Sequence, residues 1–285
     1  IFPPSNNPTP PQEPCVTGLP EGPIMPITDL KAHFTAGGTA VNGWCAIPSP
    51  VTAEIMGRAG FDMVTVDLQH GLIDYQMALT MCQVLQGLPG PVLCRVPWNE
   101  PGIIMKCLDA GFAGVICPMI NTEADARRLV DAARYAPLGG RSFGPTRANM
   151  VQGAAYARSA NEKVLLLAMI ETREALSNLD AILGVDGIDG VYVGPSDLGL
   201  SLGHEPTLEP TAPAVIEAIA QIVARSRAVG RIAGVHTGSP AMVRMMLDQR
   251  FHFASLLTDV RLFTNTLSTS LAEVRDTHAQ AVSGY

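Results

Sequence analysis

Val164-Leu165-Leu166-Leu167-Ala168-Met169-Ile170, followed directly by Glu171-Thr172-Arg173-Glu174-Ala175, is the stretch from which the fold can be read. An unbroken apolar run of this length fits a strand buried on both faces, as occurs in a parallel sheet covered by helices. It is far too short for the roughly 18 residues that cross a bilayer. The run stops on a carboxylate, and the threonine-led polar segment behind it begins a helix. A buried strand that ends at a charge and turns into a helix is half of a right-handed crossover unit, so the fold depends on how often that unit recurs.

Working outward in both directions, apolar runs at 41–47, 63–67, 91–96, 114–118, 164–170, 190–194, 231–235 and 253–257 predict eight strands. Helical periodicity fills the intervals near 50–59, 75–88, 102–110, 122–134, 173–183, 213–229 and 240–250, and a last helix is predicted over 260–281. Eight alternating units in about 250 residues predict an α/β fold, a single-domain (β/α)8 TIM barrel spanning 27–285. Asn121-Thr122-Glu123-Ala124-Asp125 marks one helix start, where a capping side chain and early carboxylates meet unpaired N–H groups. Residues 1–26 are proline-rich and fit no signal-peptide pattern, which predicts an N-terminal arm or linker. The segment 135–161, broken by Pro137, Gly139, Gly140, Gly144, Pro145 and Gly153, is too long for an ordinary connection and reads as a lid or an intersubunit contact.

Composition narrows the function. Hydrophobic residues make up 47% of the 285 and charged residues 16%, so the chain has a large core to bury. A net charge of −7 without a lysine or arginine cluster argues against nucleic acid and anionic membranes as partners. It leaves small anionic substrates open, since they need only a local pocket. The six cysteines form no CxxC pair, and five lie within apolar segments, which predicts buried free thiols in a reducing, cytoplasmic compartment.

Barrel enzymes carry their chemistry at the C-terminal ends of the strands. Reading those ends brings together Asp67-Leu68-Gln69-His70, Arg95, Glu171 and Gly194-Pro195-Ser196-Asp197. Glu171 and Asp197 are either two carboxylate ligands of an octahedral Mg²⁺ or Mn²⁺ site or simple helix caps. Arg95 either forms an ion pair or grips a substrate carboxylate with its planar fork. His70 is a general base or a loop histidine, and Asp109 by default terminates its helix. The convergence points to a metal-assisted lyase or hydrolase of an anionic substrate.

Taken together, Asp67-Leu68-Gln69-His70-Gly71, Arg95, Ile170-Glu171-Thr172-Arg173-Glu174-Ala175 and Gly194-Pro195-Ser196-Asp197-Leu198 resemble the HpcH/HpaI aldolase family, metal-dependent pyruvate aldolases such as 4-hydroxy-2-oxoheptanedioate aldolase. The resemblance covers nearly all of 38–275 and leaves the proline-rich arm unmatched. It implies a barrel whose last helix is exchanged between protomers of a homohexamer, a trimer of dimers. It also implies cleavage or formation of 4-hydroxy-2-oxo acids to give pyruvate and an aldehyde through a metal-bound pyruvate enolate, with Mg²⁺, Mn²⁺ or Co²⁺ and no organic cofactor.

By the same resemblance, Glu171 and Asp197 are the metal ligands and His70 is the base. Asp109, reaching in from a neighbouring subunit, orients that histidine, and Arg95 steadies the enolate. Gly194, Ser196 and Asp197 form the turn whose N–H groups hold the pyruvate carboxylate. Asp67 stands beside the metal's water network, Trp44 flanks the aldehyde, and Phe143, in a loop resembling the one over the pocket, narrows the aldehyde site. Two positions depart from the pattern: Met169 stands where many members have glutamine, and Gln69 where many have glutamate. Oxaloacetate decarboxylation uses the same enolate and is the alternative within the family. A CoA-ester lyase fits less well, because no basic cluster lies near the rim, and the complete set of His70, Arg95, Asp109, Glu171 and Asp197 argues against a non-catalytic barrel.

Overall fold

The protein's structure, a computed structural model, describes residues 27–282, with side chains described through 275. The proline-rich segment 1–26, including Cys15, lies outside the described residues. Eight strands, β1 (Ala40–Cys45), β2 (Met63–Asp67), β3 (Val92–Arg95), β4 (Gly114–Cys117), β5 (Leu165–Ile170), β6 (Gly190–Val193), β7 (Ile232–Thr237) and β8 (Phe253–Leu256), pair in parallel and in chain order. Pairing of β8 with β1 closes the sheet into a barrel with helices between the strands. The predicted (β/α)8 architecture is therefore observed.

The differences from the sequence reading are local. Strand β7 runs on to Thr237 rather than stopping at 235, which brings His236 into the sheet. The broken segment after position 135 holds two short helices, Thr146–Gln152 and Tyr156–Lys163, joined through Gly153 at φ 89°. It lies between the helix Glu123–Ala133 and β5, so it packs at the N-terminal end of the barrel, away from the chain's own rim. It is not a lid over that chain's pocket.

Two apolar layers hold the barrel together. The outward faces of the strands pack under the helices, with Val66, Cys94, Val115, Leu166, Ile170 and Val193 all buried. The inward faces fill the barrel with Met63, Leu93, Ile116, Leu165, Leu167 and Phe253. The helix Leu30–Thr35 plugs the N-terminal end, where Phe34 stacks on Phe253 with ring centroids 5.7 Å apart. Such a pair adds ~1 kcal/mol beyond burial of its area. The five described cysteines are free and buried.

The helix starting at Glu123 has the predicted cap in full. Thr122 accepts from the Asp125 N–H while the Asp125 carboxylate accepts from the Thr122 N–H, a reciprocal arrangement worth ~1 kcal/mol. The alternation of side chains along a strand decides which residues reach the interior. In β1 this selects Ala40, Asn42 and Trp44, and in β5 it selects Leu165, Leu167 and Met169, with Glu171 next in phase.

Candidate active site

A pocket of about 380 Å³ opens at the C-terminal end of the barrel, as expected for this architecture. Its lining includes Trp44, Asp67, His70, Arg95, Met169, Gly194, Ser196 and Asp197, every one of them a residue singled out from the sequence. Tyr192, His236, Thr258 and Arg261 line it too. A larger cavity of about 640 Å³ lies at the opposite end, but among the described residues Asp29 and Lys163 are its only ionisable lining. The rim pocket is where ionisable groups converge.

Asp67 and Arg95 stand opposite each other in the register of β2 and β3. Arg95 Nε donates to Asp67 Oδ1 at 2.8 Å, and Nη2 donates to Oδ2 at 2.6 Å, a two-point fork. Asp67 Oδ1 also accepts the Gln69 N–H at 3.0 Å, and Oδ2 accepts Trp44 Nε1–H at 3.2 Å. Each oxygen of this carboxylate thus accepts at least two hydrogen bonds from within the chain. Asp67 aims Arg95, whose guanidinium lies 4.9 Å from the Trp44 ring centroid and faces the pocket. Burial would raise the Asp67 carboxyl, but the Arg95 bonds and charge outweigh it and hold it below the ordinary range.

The capping alternative for the two carboxylates does not hold. Thr172 is the residue that caps the following helix, accepting from the Ala175 N–H at 3.0 Å, which leaves Glu171 free. Asp197 lies within the first turn of helix Pro195–Ser201 and makes no side-chain cap bond. Glu171 is buried, and its Oε1 accepts the Met119 N–H at 2.7 Å. Its Oε2 points toward Gly194, where a Cβ would come within 2.8 Å of it. Burial, reinforced by the negative charge of Asp197, pushes the Glu171 carboxyl up to about 7, although the Met119 N–H and Arg95 oppose the rise.

Two crowded carboxylates of this kind fit a divalent cation, because a hard ion relieves their repulsion through oxygen ligands. No group of three histidines, cysteines or carboxylates able to hold a metal occurs among the described residues. Glu171 and Asp197 are the two residues here that could hold such an ion. The N–H groups of Ser196 and Asp197, in the first helical turn, have no intrahelical acceptor.

The remaining candidates divide. His70 is exposed at the pocket, with its backbone N–H 3.4 Å from Asp67 Oδ1. Asp109 sits near the end of helix Pro101–Ala110, at the N-terminal end of the barrel, where Arg141 Nη2 donates to it at 2.6 Å. It does not touch His70 of the same chain. Phe143, 72% exposed beside Tyr135, lies at that same end and does not line its own chain's pocket. Gln69 Oε1 is buried with no hydrogen-bond partner among the described residues.

The sequence reading missed His236 and Tyr192. His236 lies on the inward-facing side of β7 at its C-terminal end, but the predicted strand stopped at 235, two residues short of the observed end. Tyr192, one strand over, had only its interior alternation as a signal.

Comparison with known proteins places these features. Residues 43–266 match the family model for HpcH/HpaI aldolase/citrate lyase. A hydroxypyruvate/pyruvate aldolase of Rhizorhabdus wittichii is 41% identical over 246 residues, covering 86% of this chain and 98% of that protein. A 5-keto-4-deoxy-D-glucarate aldolase of Citrobacter koseri is 34% identical over 236 residues, covering 82% and 91%. Among solved structures, an HpcH/HpaI aldolase/citrate lyase family protein of Burkholderia cenocepacia superposes with a TM-score of 0.81 at 26% identity, covering 86% of this chain and 98% of that one.

Proposed function

The chain belongs to the HpcH/HpaI aldolase/citrate lyase family and is a carbon–carbon lyase, and from that premise we propose a divalent-metal-dependent aldolase joining pyruvate or hydroxypyruvate to an aldehyde, and reversing that step. The observation that carries this reading is an aimed arginine and the uncapped Asp197 lining one 380 Å³ pocket, with the uncapped carboxylate of Glu171 buried directly behind the pocket residue Gly194. Glu171 and Asp197 would hold the metal. When bound it supplies Lewis-acid withdrawal of electron density from the 2-oxo oxygen of the substrate.

The chain's own groups account for the rest. The N–H groups of Ser196 and Asp197 hold the substrate carboxylate. With Nε and Nη2 locked by Asp67, the remaining donors of Arg95 point at the oxygen that gains charge as C3–C4 breaks. His70, at the mouth, takes the C4 hydroxyl proton in cleavage and returns it in condensation. No lysine lines the pocket, which fits a mechanism without a Schiff base.

Assembly belongs to the same proposal. On the last helix, Asp259–Val282, the side chains of Val260, Phe263, Leu267, Leu271 and Val274 recur at helical spacing and are 40–62% exposed. An apolar stripe of this kind is buried against a second protomer in a homo-oligomer, a hexamer by family resemblance. In that assembly a neighbour's Asp109 and Phe143 approach the rim. The buried free thiols support a reducing, cytoplasmic setting.

The test is pyruvate release from 4-hydroxy-2-oxoheptanedioate and from oxaloacetate by chelator-stripped protein, with and without Mg²⁺, Mn²⁺ or Co²⁺, beside Glu171→Ala. Metal-dependent release that the variant loses supports the proposal. Release from oxaloacetate alone moves the assignment to decarboxylation, and folded protein inactive with every metal overturns it.

A further inference from the structure

A buried chain of polar side chains crosses the barrel beneath the pocket and ends at His236. Asn42 on β1, Ser255 on β8, Tyr192 on β6 and His236 on β7 contact one another in sequence. None of these residues takes part in the mechanism above. Asn42 and Ser255 are fully buried, and so is Tyr192. Each proton in this chain therefore needs an acceptor, and each close pair of heavy atoms must share one proton.

The direction of the chain can be worked out from its buried end. The Asn42 amide lies between the hydroxyls of Ser255 and Thr65 on one side, at 2.7 and 3.0 Å, and the carbonyls of Gly43 and Met63 on the other, at 3.1 and 3.2 Å. Carbonyls only accept, so the amide nitrogen must face them and Asn42 Oδ1 must face the hydroxyls. Ser255 then donates its single proton to Asn42. The 2.6 Å contact between Ser255 and Tyr192 is consequently filled by the Tyr192 proton.

Tyr192 has no second proton to give. Its contact with His236 Nδ1, at 3.1 Å, is a hydrogen bond only if Nδ1 carries the proton. Burial pushes His236 down to about 3, with the charge of Arg95 adding to the effect, so the ring is neutral and holds one proton. That proton is on Nδ1, and Nε2 is left as a bare lone pair with no partner among the described residues. The ring meets Trp44 edge-on, with centroids 4.9 Å apart, and borders the pocket.

We infer that His236 is a specificity-determining residue whose Nε2, fixed as an acceptor by Tyr192, Ser255 and Asn42, receives a hydrogen bond from a hydroxyl on the aldehyde partner. The inference rests on the aldolase reading. Arg95 on β3, Glu171 just past β5 and the Gly194–Asp197 turn just past β6 take the oxo-acid end. The wall formed by β7, the β8 end and β1, which carries His236, Thr258 and Trp44, faces what lies beyond C3. A lone pair there favours an α-hydroxy aldehyde over its methyl isostere, which has no proton to offer.

The experiment compares condensation of pyruvate with glycolaldehyde and with propionaldehyde, which replaces the hydroxyl by a methyl group, in metal-loaded wild type and His236→Leu. Wild type is expected to favour glycolaldehyde in kcat/KM by about fivefold or more, the weight of one hydrogen bond in a desolvated site. The ratio is expected to fall toward one in the variant. An unchanged ratio overturns the inference. No product with either aldehyde in wild type overturns the aldolase reading on which it stands.

A long-range ¹H–¹⁵N spectrum of histidine-labelled protein needs neither substrate nor turnover. A His236 signal protonated at Nδ1 supports the assignment, and one protonated at Nε2 overturns it. Tyr192→Phe, which removes the acceptor for Nδ1–H, is expected to shift that signal toward the Nε2–H form and to reduce the glycolaldehyde preference. No change in either readout counts against the relay.

Discussion

Asp67→Asn tests whether the aim of Arg95 is built into the barrel. The substitution keeps the shape but turns two charge-assisted acceptors into one neutral acceptor and a donor that faces the guanidinium. The side chains of the pair are 3% and 12% exposed, and removing one partner of a buried pair costs about 3–5 kcal/mol. Arg95 still borders the pocket and recovers some hydration, which puts the expected loss near the lower end, ~3 kcal/mol. For a chain of this size that lowers Tm by roughly 6–12 °C. Releasing the fork displaces the donors that meet the developing charge, and misplacement on that scale costs about 100-fold in kcat/KM.

The pH dependence carries a sign. Asp67 has a depressed pKa in the folded state, so its contribution is present above its unfolded value and is lost as pH falls through the folded one. The stability gap between wild type and variant should therefore shrink as pH drops below about 4. Thermal unfolding across pH and steady-state kinetics at neutral pH measure both effects. A Tm drop under about 3 °C together with kcat/KM within fivefold of wild type would refute the argument.

Four further outcomes are expected. Glu171 has a raised pKa of about 7, so protons compete with a cation below neutrality, and calorimetric titration with Mn²⁺ should show tighter binding at pH 8 than at pH 6. Without metal, stability should decline as pH rises from the ordinary glutamate range near 4 toward 7, because the unfolded carboxyl loses its proton while the folded one keeps it. Gly194→Ala puts a Cβ 2.8 Å from Glu171 Oε2 and 3.2 Å from Met169 Cε at an unstrained φ of −98°; activity and Mn²⁺ affinity should fall at least tenfold with circular dichroism unchanged. Leu267→Asp places a charge in the apolar stripe of the last helix, and sedimentation should show smaller assemblies than wild type; an unchanged mass would argue that the stripe is not an interface.

Much of this molecule is legible in one dimension. The apolar runs of β2, β5 and β6 mark buried strands because both of their faces are covered, and the charges that close them mark the rim. Reading the last residue or two of each strand and the loop behind it picked out Asp67, Arg95 and Glu171 at the rim. His236 falls under the same rule, but with β7 ended at 235 it was passed over. The position of 135–161 was also available, since a segment leading into a strand lies at its N-terminal end, but its length suggested a lid or an intersubunit contact, and its place rules out the lid over its own chain's pocket.

Other features were decided only when strands distant in sequence came side by side. The Asp67–Arg95 fork depends on the register of β2 against β3, and it turned a general interest in Asp67 into a specific role. The choice between cap and free carboxylate at Glu171 was settled by Thr172 turning its own hydroxyl to the helix. The tautomer of His236 follows from residues on β1, β6, β7 and β8, which meet because the barrel closes. The sequence by itself determined the eight units and the charges at their ends, because periodicity and capping act between near neighbours. Tertiary structure decided which of those charges are paired, which stay free and where the protons sit, because such contacts depend on barrel closure and strand register.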